Sequence, residues 1–387
     1  MDLTKQLIDL NAGWYNVVAE ALKLDPATFM LAQGTLGLQT ADSSGLFQMS
    51  DAVPPPSAVA YFDSAGMSKR SSAYGLLLQA LLPEGGSDLR DVLRDQYSDW
   101  VAFLPTYLKA NPGKTQLEAF NAWSEANMDP RAAAKAKTTF ILAQNAPLYN
   151  ALVALSDPNA KAQFVDTARK PFSLYIYSAT STAATDAINK GGSAKIDFDS
   201  ATSNKTLTHR TIEGAASGFY NIFSGEASAS FDQLNTTAAS SRLTISGTLN
   251  KYATLSVVPG SWFTSSELLR AYNGNNDNNV WDPNAGSVGS WNSFFGDKGS
   301  LARRVSQLIL VSDYDITVTS FASYSQNDLQ QISTKASFGV WPFFSAGATA
   351  TQKTEFSLDQ NGHLVTKYHL NPGLIQIWGV NVQSAPN

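Results

Sequence analysis

A chain of 387 residues with 43% hydrophobic and 11% aromatic content has ample apolar material to fold unaided and is long enough for two domains. It contains no cysteine, which excludes disulfides, zinc–thiolate centres, iron–sulfur clusters and cysteine nucleophiles. The formal net charge is −5 and no basic stripe is visible, so neither phosphate-directed nucleic-acid binding nor polybasic attraction to anionic lipid finds support.

Charged residues reach only 15%, and Ser, Thr, Asn and Gln take their place. A surface of neutral polar groups repels its own copies weakly, which leans toward assembly or adhesion, although an ordinary Ser/Thr-rich β surface has the same composition. The start, Met1-Asp2-Leu3-Thr4-Lys5-Gln6-Leu7-Ile8, has neither the basic opening nor the long apolar core of a secretory leader, and no window approaches eighteen consecutive apolar residues. The expectation is synthesis in the cytoplasm, with any release by another route.

Leu3, Leu7, Leu10, Trp14, Val17, Val18 and Ala21 recur at three- and four-residue steps and predict a first helix, closed by Asp25-Pro26. Asp25 can cap a second helix over 27–32, residues 34–50 read as loop, and Pro54-Pro55-Pro56 as a stiff spacer. Further helices are expected over 71–82, 87–110, 115–127, 130–155 and 159–169, bounded by Pro, Gly and Asn-Pro-Gly signals, with Pro105 and Pro147 as breaks or kinks.

At Pro171 the periodicity changes from helical to alternating. The expected fold class is therefore α+β: an all-helical domain over 1–170 followed by an antiparallel β-rich domain, sandwich or elongated sheet, over 171–387. Strands are predicted over 172–177, 195–198, 227–231, 242–249 and 252–257, with a short helix over 265–272. Residues 273–300 form a Gly/Asn/Ser-rich insertion carrying Trp281, Trp291, Phe294 and Phe295; its length marks it as functional or unstructured. Then Leu308–Val311 is an apolar run, and Tyr314, Ile316 and Val318 alternate with Asp315, Thr317 and Thr319, the pattern of a strand with one wet face. Asn361-Gly362 is a hairpin turn signal, and Ile375–Trp378 a last strand.

Motifs for catalysis are missing: no G-x-S-x-G, no H-E-x-x-H, no phosphate loop. The three histidines, His209, His363 and His369, give no assigned general base, so no catalytic residues, cofactor or enzymatic activity are expected. The best ligand-like stretch is Asn273, Asn275, Asp277 and Asp282, which echoes the first half of a calcium loop. Its glycine is misplaced and Asn284 stands where a bidentate Glu would be, so an Asn-rich turn explains it as well.

Two stretches, 227–249 and 337–356, alternate small or apolar residues with Ser and Thr and carry few charges. In the second, Ala346, Ala348 and Ala350 would face one side of a strand, and Gly347, Thr349 and Thr351 the other, as in a membrane hairpin. A solvated sheet has the same pattern. The leading expectation is a non-enzymatic protein that engages a membrane or receptor in the manner of a pore-forming toxin, as a homo-oligomer and without nucleic acid. A self-assembling filament, shell or crystalline inclusion is the alternative, and a carbohydrate-binding module or enzyme the third.

Overall fold

The computed structural model describes residues 3–38, 43–55, 68–82, 88–143, 147–166, 168–206, 229–275, 277, 279–282, 290–335, 340–343 and 352–385. Helix α1 (Leu3–Ala21) buries Leu10, Trp14, Tyr15 and Val18 along one stripe, as its periodicity requires. Strand β1 (Phe29–Leu38) follows where Asp25-Pro26 suggests a second helix. Asp25 does cap the backbone, accepting from the Ala27 amide at 2.9 Å. However, Phe29 and Leu31 enter one core cluster and Met30 another, so the segment is covered on two opposite sides. Such burial, with pairing to residues 375–381, favours an extended chain over a capped helix.

Helix α2 (Ser44–Asp51) lies in the stretch expected as loop, and α3 (Arg70–Ala80) follows. Helices α4 (Asp88–Leu93), α5 (Tyr97–Ala110), α6 (Gln116–Asn127), α7 (Pro130–Ala143) and α8 (Pro147–Ser156) then close around Trp100, Phe120, Trp123 and Phe140. Phe120 and Phe140 stack with centroids 4.3 Å apart. The helix expected over 87–110 is interrupted by a 3-10 turn at Arg94–Gln96 instead of at Pro105, which sits inside α5. Pro105 and Val101 both border a surface cavity, so the carbonyl that Pro105 leaves without its helical N–H is not sealed in the core.

In place of the helix expected over 159–169 there is a 3-10 turn, capped by Asp157, and then a hairpin of β2 (Lys161–Val165) and β3 (Pro171–Tyr175). Cross-strand pairs such as Phe164 with Phe172, rings 5.7 Å apart, stabilise the extended form. The change of periodicity near Lys170 thus falls in the turn of this hairpin.

The rest of the chain contains α9 (Ser181–Asn189), β4 (Gly192–Asp199), α10 (Ala229–Ala239), β5 (Leu243–Ser256), α11 (Ser265–Asn273), α12 (Trp291–Phe295), β6 (Arg303–Ser320), α13 (Gln326–Lys335), β7 (Gln352–Leu358) and β8 (Leu364–Ser384). Residues 229–231, expected in a strand, begin α10 instead. One antiparallel sheet runs in the order β1-β8-β6-β5-β4, and β7 pairs with the first part of β8 on the same side as β1. The fold is α+β, with most helices in the N-terminal part and the antiparallel sheet built mainly from the C-terminal part.

Two cores flank this sheet. Val305, Leu308 and Leu310 of β6 pack on one face with α2, α3, α9 and α11, and Ile309, Val311, Tyr314, Ile316 and Val318 on the other with α1, α10 and α13. The apolar run at 308–311 is therefore buried on both faces. Beyond a bulge at Asp313, which has φ 51°, only the second face stays covered, and Asp315, Thr317 and Thr319 face outward.

Candidate functional site

The outward face is read directly from the strand register. Lys195, Thr248, Asp315, His369 and Lys353 form one row across β4, β5, β6, β8 and β7; Asp197, Ser246, Thr317, Lys367 and Glu355 form the next. A shallow cavity of about 200 Å³ opens there. His369 sits in it with Nδ1 2.7 Å from Asp315 and Nε2 2.8 Å from Asn371. The Asp315 carboxylate, then Asn371, raise the His369 pKa. Both ring nitrogens face acceptor oxygens, so the protonated ring can donate at Nδ1 and at Nε2.

His363 belongs to a different place. Its Nδ1 lies 2.9 Å from Asp359 in the turn that closes the β7–β8 hairpin, and its ring packs 5.0 Å from Phe321. Alternation along a strand would put His363 and His369 on one face, but His363 precedes β8 and its backbone follows the turn. His209 lies outside the described residues. Asp313 and Asp315 are likewise separated by the bulge; Asp313 accepts from Asn250 at 3.0 Å.

Asn273 ends α11 and Asn275 follows it in a turn. Asp277 Oδ1 accepts from the Asn279 amide at 2.8 Å and from its side chain at 3.0 Å, and Asp282 is paired with Arg90. Both carboxylates of that stretch thus already have protein partners. Among the described residues no group of three or more His, Asp or Glu is placed to hold a metal ion.

The aromatic insertion is drawn into the core. Trp281 stacks on Phe294 at 6.0 Å and donates to the Gly274 carbonyl at 2.7 Å; Phe294 and Phe295 are buried, and Trp291 donates to the Tyr272 carbonyl at 2.8 Å. Their indole and phenyl faces serve packing against α11, and Trp281 pairs by a β-bridge with Leu81 at the end of α3.

The feature that gathers the most chain in one place is the end of the sheet. Asp199, Thr244, Thr319 and Val365 are cross-strand neighbours in one row, so β4 ends, β5 starts, β6 ends and β8 starts at the same edge. Two connections, 200–242 and 321–363, each 43 residues long, leave from that row between neighbouring strands, and the second includes β7, which returns along β8 to the same edge. Their described helices lie on the same face of the sheet. Phe231, Leu234 and Ala238 of α10, Ile332 of α13, and Val340, Trp341 and Phe343 all enter the core that holds Trp14 of α1. Trp341 also donates to Asn11 of α1 at 3.1 Å. The hairpin positions Ala346, Gly347, Ala348, Thr349, Ala350 and Thr351 fall within the second connection but outside the described residues.

α10 and α13 mix good helix formers, Ala, Leu and Gln, with Ser, Thr, Asn and Asp. Thr236, Thr237 and Thr334 turn their hydroxyls back onto the carbonyls of Asp232, Gln233 and Gln330. At 11 and 10 residues these helices are too short to be stable alone and are held by the core beneath them. Sequence periodicity flagged part of both connections, but their common origin at one row of strand ends needed the pairing register.

Fold and strand-end geometry define an α+β protein with a long antiparallel sheet and two equal, helix-bearing connections at one edge. No protein-family profile, no curated protein and no solved structure matches this chain. Among the described residues no helix is long and apolar enough to cross a membrane.

Proposed function

We propose that this chain is a non-enzymatic, membrane-engaging protein that perforates bilayers as a homo-oligomer, its two 43-residue connections opening into hairpins that extend β4–β5 and β6–β8, the second after β7 parts from β8. The observation that carries this reading is the shared row of strand ends. A hairpin growing from paired strands inherits their register, and both would grow in the same direction from the same edge. A membrane-spanning strand needs only about 9–11 residues, so each connection has chain enough for two arms and a turn. Closed pairing within a barrel is also the one way such strands can satisfy their backbone in lipid. In the second connection Ala346, Ala348 and Ala350 alternate with Gly347, Thr349 and Thr351, and Phe338 and Val340 with Ser337 and Gly339, the two runs being separated by Trp341-Pro342-Phe343-Phe344.

Dye release from liposomes tests the reading, with Ala348→Arg and Thr349→Arg compared against the parent. On the lipid side an Arg near the midplane costs roughly 2–4 kcal/mol, and on the lumen side far less. Release by the parent protein, abolished by Ala348→Arg and retained by Thr349→Arg at unchanged thermal stability, is the expected result. Absence of release by the parent, or equal effects of the two substitutions, overturns it.

A further inference from the structure

A second cavity, of about 370 Å³, lies where α5, α8 and the β2–β3 hairpin meet. Leu104, Pro105, Leu152 and Leu155 give it an apolar part, Gln79, Thr106 and Ser156 a polar one, and two lysines, Lys109 and Lys161, also line it. Among the described residues no acidic side chain lines it. Among the described residues neither lysine meets a carboxylate within ion-pair distance.

The lysines are placed by the fold. Lys161 opens β2 opposite Tyr175 of β3, and its ammonium sits 4.4 Å over that ring. The ring is fixed in turn by the Tyr175 hydroxyl, which donates to the Leu155 carbonyl at 3.1 Å. Lys109 stands in the last turn of α5. Burial lowers the Lys161 pKa, and the positive charge of Lys109, then of Lys69, lowers it further. Two cations lining one cavity beside leucine side chains, without a carboxylate partner among the described residues, suit a ligand that is negative at one end and apolar at the other. At about 30 Å³ per water, the space equals about a dozen waters, which is small-molecule size.

We propose that this cavity binds a small amphiphile with a single anionic head, a medium-chain carboxylate or the phosphate end of a lipid, its head between Lys109 and Lys161 and its body against the leucine side chains. This site is separate from the strand-end row and does not rest on the perforation reading.

Calorimetric titration of the full chain with decanoate is the test, with decanol and inorganic phosphate as the apolar-only and charge-only probes. Decanoate should bind once per chain, and each of the other two at least about tenfold more weakly. Lys109→Gln and Lys161→Gln should each weaken decanoate about tenfold, the worth of one charge-assisted contact. Lys135→Gln, an exposed lysine on α7, should leave it unchanged. Thermal melts establish that each variant is folded.

Failure of decanoate to saturate, equal binding of decanol, or an equal loss in Lys135→Gln overturns the site. Vesicles of phosphatidylglycerol identify the source of the anion. Binding to them that disappears in the Lys109/Lys161 double variant supports a lipid head. Vesicle binding unaffected by the double variant, with decanoate binding lost, supports a free amphiphile.

Discussion

At the scale of single residues, what holds the sheet is contact distance and hydrogen-bond satisfaction. Gly379 of β8 lies against β1 so closely that a Cβ there would sit 2.5 Å from the Met30 carbonyl oxygen and 2.5 Å from the Phe29 ring. Backbone cannot move aside cheaply, so Gly379→Ala should destabilise the protein by about 1–3 kcal/mol, read from a denaturant titration. An unchanged midpoint would show that β1 yields. Asp51 shows the other kind of constraint: buried between α2 and α3, it accepts from the Ser71 amide, the Ser71 hydroxyl and Tyr177, and burial raises its pKa. His369 titrates in the open. Its pKa is raised by Asp315, so its protonated form is favoured in the folded chain. The stabilisation is complete below the ordinary histidine value near 6.5 and is lost as pH rises through the folded value. A proton NMR titration should place His369 above 6.5, and Asp315→Asn should bring it back. A midpoint that ignores Asp315→Asn would mean that the pair does not persist in solution.

At the scale of elements, the same sequence can favour two conformations, and the core decides between them. Residues 229–231 belong to a stretch whose alternation predicts a strand, yet they start a helix because Phe231, Leu234 and Ala238 then share one face over the sheet. Thr236 and Thr237 on the outer side of α10 still carry strand preference. Thr236→Ala with Thr237→Ala should therefore stabilise the folded chain by about 1 kcal/mol through helix propensity. If α10 must unwind before a hairpin forms, the same pair should slow liposome dye release by about fivefold. A raised melting temperature with an unaltered release rate would place α10 outside the conversion. The hairpin of β2 and β3 follows the same logic, since the pairing of Phe164 with Phe172 outweighs the helical spacing of 159–169.

At the scale of the whole molecule, the sheet does two jobs along its length. Around 305–311 it is sandwiched between helices, and its apolar residues are buried on both faces. Around 314–320 it is covered on one face alone, and the four strand ends meet there. The covering pieces, α10, α13 and residues 340–343, belong to the two long connections, so displacing them would remove apolar cover from Ile316, Val318 and Tyr368. Their release would cost folding energy that only a second apolar phase, lipid or another copy, can return. That is why the leakage assay speaks to the molecule as a whole.

By itself the sequence determined the α+β class, the absence of thiol chemistry, the wet and dry sides of β6 beyond Asp313, the hairpin at Asn361-Gly362 and the bounds of α1, α3, α6 and α11 to within a few residues. These follow from local rules: the two-residue period of strands, the 3.6-residue period of helices, and the backbone preferences of Pro, Gly and Asn. Only the tertiary structure decided that Phe29–Leu38 is a strand, that Trp281, Phe294 and Phe295 are core, that Asp313 breaks the alternation of Asp315, and that two connections share one row of strand ends. It also brought Lys109 and Lys161, 52 positions apart in the chain, into the lining of one cavity. Each of these depends on pairing or packing between residues distant in sequence, and local periodicity carries no information about which distant partner will arrive.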